Sequence, residues 1–175
     1  MLKKDIFRYI SGYIVGFGLF IVILPASLYF FSKIDHFFFR QKILAGPWLP
    51  LVVAPLLFAL GMAFVIWSNI VLFRMGKGGP ADGFNIVIHP RTKKLVITGP
   101  YRYTRNPMVF GTLTVYYALV FYLDSLAAFL LLVLFSVLVT VYLKLIEEKR
   151  LLRDFGQRYA EYRKRTSMII PFLKK

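Results

Sequence analysis

The sequence predicts an all-α integral membrane protein with about four transmembrane helices and a C-terminal amphipathic helix at the membrane interface. Hydrophobic residues fill 58% of the 175 positions, above their usual share in a soluble domain. Four stretches of at least 18 residues also lack Asp, Glu, Lys and Arg, and about 20 apolar residues let a helix cross the hydrocarbon core. The four stretches are residues 9–32, 43–73, 106–123 and 125–143.

Positive charge predicts the orientation of these helices. Of the 23 Lys and Arg residues, 20 lie in the two terminal tails or in the polar segment between the second and third stretches. Four crossings place both termini on one side, and the excess of Lys and Arg favours the cytoplasmic side. The net charge of +15 therefore reflects topology and attraction to membrane lipids. It does not favour a nucleic-acid partner, because no compact basic domain is present.

Composition excludes several classes of site. The chain has no cysteine, so disulfides, thiolate metal sites and a cysteine nucleophile are ruled out. Its two histidines, His36 and His89, fall in predicted loops on opposite sides of the membrane, which excludes a histidine-rich metal site. The predicted spans contain no Asp, Glu, Lys, Arg or His near the midplane, where ion-coupled transporters usually place such groups. A functional site without a metal is therefore expected at the cytoplasmic interface.

Proline and charge set the expected helix boundaries. The first helix is expected from about Tyr9 to Phe31, and the second from about Trp48 to Phe73 with a bend at Pro55. The dipeptide "DS" after the third stretch turns the chain straight back into the fourth. Such a short turn predicts an antiparallel helical hairpin.

The polar segment between the second and third stretches is irregular, because "RMGKGGPADG" holds four glycines and a proline. Residues 76–79, "GKGG", can bring backbone amides close to a carboxylate or phosphate as an anion-binding nest, and a plain flexible loop is the alternative. Further along, Asn106 and Pro107 are favoured as the N-cap and the first residue of the third helix. The neighbouring Tyr101 and Arg105 fit either interfacial anchors or part of a site.

Apolar residues recur at helical spacing after the fourth stretch and predict the amphipathic helix, which either continues the fourth helix or breaks from it. They are Leu152, Phe155, Tyr159 and Tyr162. The same face extends back to Glu148, where an unpaired charge among apolar residues is costly. One explanation is an i,i+4 pair with Lys144 in the poorer orientation. The other is that the acid faces a polar ligand at the membrane boundary.

Four motifs occur in order through the second half of the chain. They are "GKGGP", "LVITGPYRYTRNPMVFG", "EEKRLLRDFGQRYAEY" and "IIP", which span residues 76–171. In this order they resemble the membrane methyltransferases that include isoprenylcysteine carboxyl methyltransferase and the phospholipid N-methyltransferases. The resemblance implies an S-adenosylmethionine site near the cytoplasmic face and a lipid-like acceptor from the bilayer. Asn106 stands where that family usually has histidine, and Val109 where it often has tyrosine, so an acid–base role at position 106 stays open.

The resemblance also implies roles for individual residues. Cofactor contacts are implied for Gly76, Gly78, Tyr101, Arg105, Asn106, Pro107, Glu147 and Glu148. This set agrees with the chemistry of S-adenosylmethionine, whose charged groups and adenosine need acids, aromatic faces and cationic or backbone donors. The predicted catalytic residues are Glu148, Arg105 and Lys144, because a cation can orient a carboxylate acceptor and a glutamate can take a proton from an amine.

The expected function is S-adenosylmethionine-dependent methyl transfer to a lipid-soluble acceptor, either a prenylcysteine carboxylate or a phospholipid amine. Residues 1–175 are expected to form a single membrane domain, with two N-terminal helices in residues 1–73 and the cofactor-binding core in residues 74–175. Two alternatives stay open. One is a non-catalytic, lipid-binding membrane scaffold, for which the basic tail would suffice. The other is a membrane reductase that uses a related C-terminal pocket for a nicotinamide cofactor.

Overall fold

A computed structural model describes residues 18–38, 43–44, 46–76 and 94–173, and this part of the chain is helical without a β-strand. We number the α-helices α1 to α5 in chain order. They are α1 (Leu24–Phe38), α2 (Trp48–Val71), α3 (Pro107–Leu123), α4 (Leu126–Tyr142) and α5 (Glu148–Arg165). Three π-helical stretches extend them: Gly18–Ile23 before α1, Leu72–Gly76 after α2 and Leu143–Glu147 between α4 and α5. A short 3₁₀ helix, Gly99–Arg102, precedes α3.

Two continuous helices are long and apolar enough to cross a membrane, Trp48–Met75 and Leu126–Arg165. In each, only 17% of the most apolar window is buried within the protein, whereas the core helix of a soluble protein would hide most of it. The third helix, Pro107–Leu123, is also apolar but shorter. The first predicted span begins outside the described residues, so the count of four crossings stays a prediction.

The end predicted for the first helix, near Phe31, is wrong. Helix α1 continues to Phe38, so that Asp35 and His36 lie on a helix and not in a loop. The reason is a tertiary contact that the local sequence does not show. The buried Asp35 carboxylate accepts hydrogen bonds from Ser125 Oγ at 2.8 Å and from the backbone N–H of Ala127 at 3.3 Å, at the start of α4.

The predicted turn between α3 and α4 is confirmed. Asp124 adopts a left-handed conformation (φ 46°, ψ 49°) that ends α3, and Ser125 caps α4 by accepting a hydrogen bond from the N–H of Ala128 at 3.2 Å. The Asp124 carboxylate also accepts hydrogen bonds from the backbone N–H groups of Ile43 and Leu44, at 2.9 and 3.0 Å. Carboxylates therefore fasten α1 and the segment before α2 to this end of the bundle.

Helices α2 and α3 cross at a pair of glycines. A Cβ atom built on Gly61 would lie 2.6 Å from the carbonyl oxygen of Gly111, and one built on Gly111 would lie 2.6 Å from that of Gly61. Two backbones can approach this closely only where both side chains are absent, as at tight helix crossings in membranes. One turn away, the rings of Phe64 and Phe110 meet edge to face at 4.9 Å between centroids. This crossing fixes the start of α3, and with it the segment that carries Arg105.

Helix α5 continues α4 through the π-helical stretch without a loop, and it contains a kink that the sequence pattern does not predict. Gly156 has φ 54° and ψ −132°, outside the helical region, and the chain kinks there. Only glycine adopts this conformation without strain. The kink divides the predicted apolar face, because Leu152 before it is exposed whereas Tyr159 after it is buried.

Candidate active site

A buried ion pair joins the segment before α3 to the start of α5. Arg105 is 6% exposed and Glu148 is 7% exposed, and Arg105 Nη2 donates a hydrogen bond to Glu148 Oε1. The second carboxylate oxygen of Glu148 lies 3.8 Å from Arg163 Nη1. A carboxylate buried away from water needs partners that donate hydrogen bonds or carry the opposite charge, and the partners of Glu148 are charged. The partners of Glu148 in the described chain are therefore these two arginines, and Lys144 forms no ion pair with it there.

The kink in α5 makes this arrangement possible. Glu148 and Arg163 are fifteen residues apart, and a straight α-helix would separate them by roughly 22 Å along its axis. Because the chain changes direction at Gly156, the second half of α5 returns toward the first. The backbone carbonyl of Arg163 consequently accepts a 2.7 Å hydrogen bond from Arg105 Nη1. The Arg105 guanidinium is thus held at both of its terminal nitrogens.

The C-terminal segment, residues 166–173, fixes the other side of Arg105, and we call it the strap. The backbone N–H of Arg105 donates to the carbonyl of Ser167 at 2.9 Å, beside an isolated parallel β-bridge between Thr104 and Ser167. Thr104 is fully buried, and its hydroxyl donates to the Met168 carbonyl at 3.1 Å. The position of Arg105 therefore depends on chain segments far apart in the sequence.

Asn106 occupies the N-cap position of α3 and Pro107 the first helical position, as predicted. The Asn106 side chain, however, makes no capping hydrogen bond. Its Nδ2 instead donates to the carbonyl of Met168 at 2.9 Å. Asn106 therefore bridges α3 and the strap through Nδ2, and its side-chain oxygen does not cap the helix.

A cavity of about 330 Å³ lies against the buried pair, at the lower end of the size range of small-molecule pockets. Its lining is Lys144, Leu145, Glu148, Lys149, Leu152 and Arg163. The lining combines three cations and one acid with two leucines, directly after the apolar part of α4. Such a surface suits a ligand that has both charged and apolar parts.

Two buried polar atoms beside the ion pair have no hydrogen-bond partner among the described residues. They are Nε of Arg105 and the hydroxyl of Tyr159, whose side chain is 1% exposed. A buried polar group without a partner costs about 1–3 kcal/mol, so native proteins rarely retain one without a reason. Arg105 and Tyr159 are not among the residues that line the cavity, so these two donors are buried near Glu148 and do not lie on the cavity surface.

Tyr101 reaches the same region through its backbone. The hydroxyl of Tyr162 donates to the carbonyl oxygen of Tyr101 at 2.5 Å, which joins the 3₁₀ helix to the second half of α5. Burial raises the pKa of the Tyr101 hydroxyl to about 12, because the tyrosinate would lose its hydration. Tyr101 is therefore a neutral, mostly buried ring at physiological pH.

The remaining predicted residues lie at different distances from the pair. Glu147 ends the π-helical stretch before Glu148, and its carboxylate pairs with Arg150, three residues along. Gly76 ends the π-helical stretch after α2, whereas Gly78 lies outside the described residues. The structure thus brings Arg105, Glu148 and Lys144 together, and it directs the Glu147 carboxylate to another partner.

A family model for phospholipid methyltransferases matches residues 49–158, which is more than half of the chain. The chain belongs to the phospholipid methyltransferase family. Together with the two long apolar helices, membership identifies it as a membrane methyltransferase with a lipid substrate. Neither a curated protein nor a solved structure matches it significantly. The matched region contains all the predicted site residues, from Gly76 to Glu148.

Several residues that complete the site in this family member were not found from the sequence. Arg163 and Met168 lie beyond the matched region, and both contact Arg105 or its neighbour Asn106 through backbone carbonyls. A backbone carbonyl leaves no trace in the side-chain pattern, which explains the omission. The sequence predicted Tyr159 only as part of the apolar face of the C-terminal amphipathic helix. The one available signal was Gly156, because an isolated glycine inside a helical pattern often marks a structural requirement.

Proposed function

We propose that this protein transfers a methyl group from S-adenosylmethionine to a lipid-soluble acceptor at the cytoplasmic face of the membrane. The observation that carries the proposal is the buried Arg105–Glu148 pair beside an amphiphilic cavity at the end of the apolar α4. Family membership supplies the reaction class and a lipid as the acceptor class. The acceptors we consider are a phospholipid amine and a prenylcysteine carboxylate.

The residues at the cavity fit S-adenosylmethionine by their chemistry. Lys149 offers a cation to its carboxylate, and Glu148 offers an acceptor to its ammonium. The buried donors on Arg105 and Tyr159 have no partner among the described residues, and they would meet hydroxyl or ring-nitrogen acceptors of the adenosine if binding widens the cavity toward them. From the predicted set, Tyr101, Asn106, Pro107 and Glu147 remain candidate wall residues, and Gly76 and Gly78 remain candidate contacts from the preceding loop.

The chemistry needs little from the protein beyond binding and orientation. When bound, S-adenosylmethionine would supply a methyl group on a sulfonium centre: the acceptor atom would bond to the methyl carbon in line as the carbon–sulfur bond breaks, and S-adenosylhomocysteine would leave. Positioning and exclusion of water provide much of the acceleration of such a step, and no nucleophilic side chain is required. Lys144 would orient a phosphate or carboxylate on the acceptor. Glu148 Oε2, 3.8 Å from Arg163 Nη1 and so beyond hydrogen-bond distance, would accept the proton of an amine.

The proposal includes the topology expected from the sequence. Four crossings, cytoplasmic termini and an interfacial α5 would place the cavity at the inner membrane boundary, where the Lys and Arg residues are most frequent. Residues 1–73 would then supply two N-terminal helices, and residues 74–175 the cofactor-binding core of one membrane domain.

The test is methyl transfer by the purified full-length protein. We expect incubation with methyl-labelled S-adenosylmethionine and a total lipid extract to give labelled lipid, which mass spectrometry can identify. The same assay with prenylcysteine analogues separates the two acceptor classes. Glu148→Ala should lower the yield of labelled lipid. Arg153→Gln is its matched control and should not lower it, because the Arg153 side chain is 73% exposed on α5.

Binding of S-adenosylhomocysteine, measured by calorimetry, separates the alternatives. A methyltransferase should bind it, and Glu148→Ala should weaken the binding whereas Arg153→Gln should not. Absence of both label and binding would favour the scaffold. Thermal stabilisation by a nicotinamide cofactor alone would favour the reductase.

A further inference from the structure

The outer face of the strap carries an exposed apolar patch. Ile170, Phe172 and Leu173 are each more than half exposed, although they are large hydrophobic residues. The inner face of the same segment is polar, because Thr104 and Asn106 donate hydrogen bonds to its backbone. The strap is thus amphipathic, and most of the surface of its apolar patch is exposed.

A series of aromatic rings links this patch to the apolar helix α2. The ring of Phe172 lies 4.8 Å from that of Tyr103, and the ring of Tyr103 lies 6.3 Å from that of Trp67. Trp67 belongs to the last turns of α2, just before the exposed Phe73 and Met75. The strap therefore lies beside one end of a helix that is long and apolar enough to cross a membrane.

The chain around the patch is strongly basic. Arg163, Lys164 and Arg165 form the last turn of α5 and directly precede the strap. Between residues 157 and 173 the sequence contains four basic residues and a single acid, Glu161. Apolar side chains next to a basic cluster are the combination that binds an anionic lipid surface.

We propose that the strap docks on the anionic surface of the membrane, with Ile170, Phe172 and Leu173 among the lipids and with Lys164 and Arg165 on the headgroups. The strap also holds Arg105, through the Ser167 carbonyl, and Asn106, through the Met168 carbonyl. Docking therefore stabilises the geometry of the Arg105–Glu148 pair. This second consequence rests on the function proposed above and makes methyl transfer respond to the charge of the membrane.

The experiment uses a fluorescent label on the strap. Because the chain has no cysteine, Leu173→Cys gives a single site for an environment-sensitive nitrobenzoxadiazole dye. The full chain is reconstituted in nanodiscs of phosphatidylcholine that contain from 0 to about 40% phosphatidylglycerol. We expect the dye emission to shift to the blue and intensify as phosphatidylglycerol increases, and the shift to weaken in 1 M salt, which shortens the Debye length to about 3 Å.

Lys164→Gln/Arg165→Gln in the labelled chain is the matched variant, since neither side chain lines the cavity. We expect it to weaken docking about twenty-five-fold, because each basic residue near an anionic surface contributes a factor of about five. A water-exposed dye in every nanodisc would overturn the proposal. An equal blue shift with and without phosphatidylglycerol would overturn the requirement for anionic lipid.

The dye is read without cofactor or acceptor, so this result does not depend on methyl transfer. Methyl transfer by the unlabelled chain tests the coupling, in the same series of nanodiscs to which labelled S-adenosylmethionine and a fixed small fraction of the acceptor from the lipid-extract or prenylcysteine assay are added. We expect it to increase with phosphatidylglycerol in the native chain and to increase less in Lys164→Gln/Arg165→Gln. A docked strap with unchanged methyl transfer would overturn the coupling alone, whereas absence of methyl transfer under every condition would overturn the proposed function and leave the docking result intact.

Discussion

The protein buries a carboxylate at each end of α3, and the two are satisfied in different ways. Asp35, near the end of α3 where Asp124 turns the chain, is 1% exposed and accepts hydrogen bonds from a serine hydroxyl and a backbone N–H. Glu148, near the start of α3, is 7% exposed and faces two guanidinium groups. The donors around Asp35 are neutral and come from the start of one helix. Those around Glu148 are charged and come from two distant segments.

The surroundings of the two acids differ as well. Beside Glu148 there are a cavity and two buried donors without partners among the described residues, on Arg105 and Tyr159. Around Asp35, the Ser125 hydroxyl and the Ala127 N–H both donate their hydrogen bonds to the Asp35 carboxylate. Burial of an acid alone therefore does not identify a site. Buried charge together with unsatisfied donors and a cavity makes the Glu148 end the candidate site, because the folded chain then carries a cost that a ligand can remove.

The largest expected effect is that of Arg105→Met. It leaves the buried Glu148 with only the distant contact to Arg163, and loss of one partner of a buried ion pair costs about 3–5 kcal/mol. We also expect methyl transfer to fall at least about 100-fold. Thermal unfolding in detergent and the labelled-methyl assay measure the two effects.

The double variant Arg105→Met/Glu148→Met is the control for Arg105→Met. Removing both charges should restore most of the stability, since an apolar pair often replaces a buried ion pair at little cost. It should not restore methyl transfer. A double variant with native activity would show that the Glu148 end is structural, like the Asp35 end.

The next effect tests the kink that brings Arg163 to Glu148. Gly156→Ala forces a side chain into a backbone conformation that costs about 1–3 kcal/mol, so the kink should open. We expect the affinity for S-adenosylhomocysteine, measured by calorimetry, to fall about tenfold. Ala160→Gly loosens the same helix without removing the kink and should leave the affinity near native. Equal affinities in the two variants would contradict a role for the kink.

A third variant addresses the opposite end of the bundle. Asp35→Ala leaves Ser125 Oγ and the N–H of Ala127 without their acceptor, which should lower the free energy of unfolding by about 1–3 kcal/mol. We expect the affinity for S-adenosylhomocysteine to stay unchanged, because α3 separates Asp35 from the cavity by roughly 26 Å. Asp35→Asn keeps an acceptor oxygen and should retain most of the stability. Weaker binding of S-adenosylhomocysteine to Asp35→Ala would contradict a purely structural role for Asp35.

The smallest effect concerns the bridge from α3 to the strap. Asn106→Ala removes one hydrogen bond to the Met168 carbonyl and should cost about 1 kcal/mol. Asn106→His can restore a donor, and it adds a group that titrates near pH 6.5. Because asparagine does not titrate, we expect the rate of methyl transfer, measured as a function of pH, to show a new transition near that pH only in the histidine variant. The same transition in the native chain would assign it to another group.

The sequence by itself determined the helical membrane class, because the length and apolarity of a segment suffice to make it cross a bilayer. It also determined the turn at Asp124 and the N-cap position of Asn106, which depend on local backbone preferences. The motifs placed Arg105, Lys144 and Glu148 in one candidate site. These features need only the properties of neighbouring residues or a recognisable order of motifs.

Only the tertiary structure decided which groups meet. The extension of α1 to Phe38 depends on a partner ninety residues along the chain, at Ser125. The pairing of Glu148 with Arg105 rather than Lys144 depends on the return of the chain at Gly156 and on the carbonyl of Arg163. Long-range contacts through backbone carbonyls carry no side-chain signature. The sequence could therefore name the residues of the site, but the folded chain alone gave them their partners.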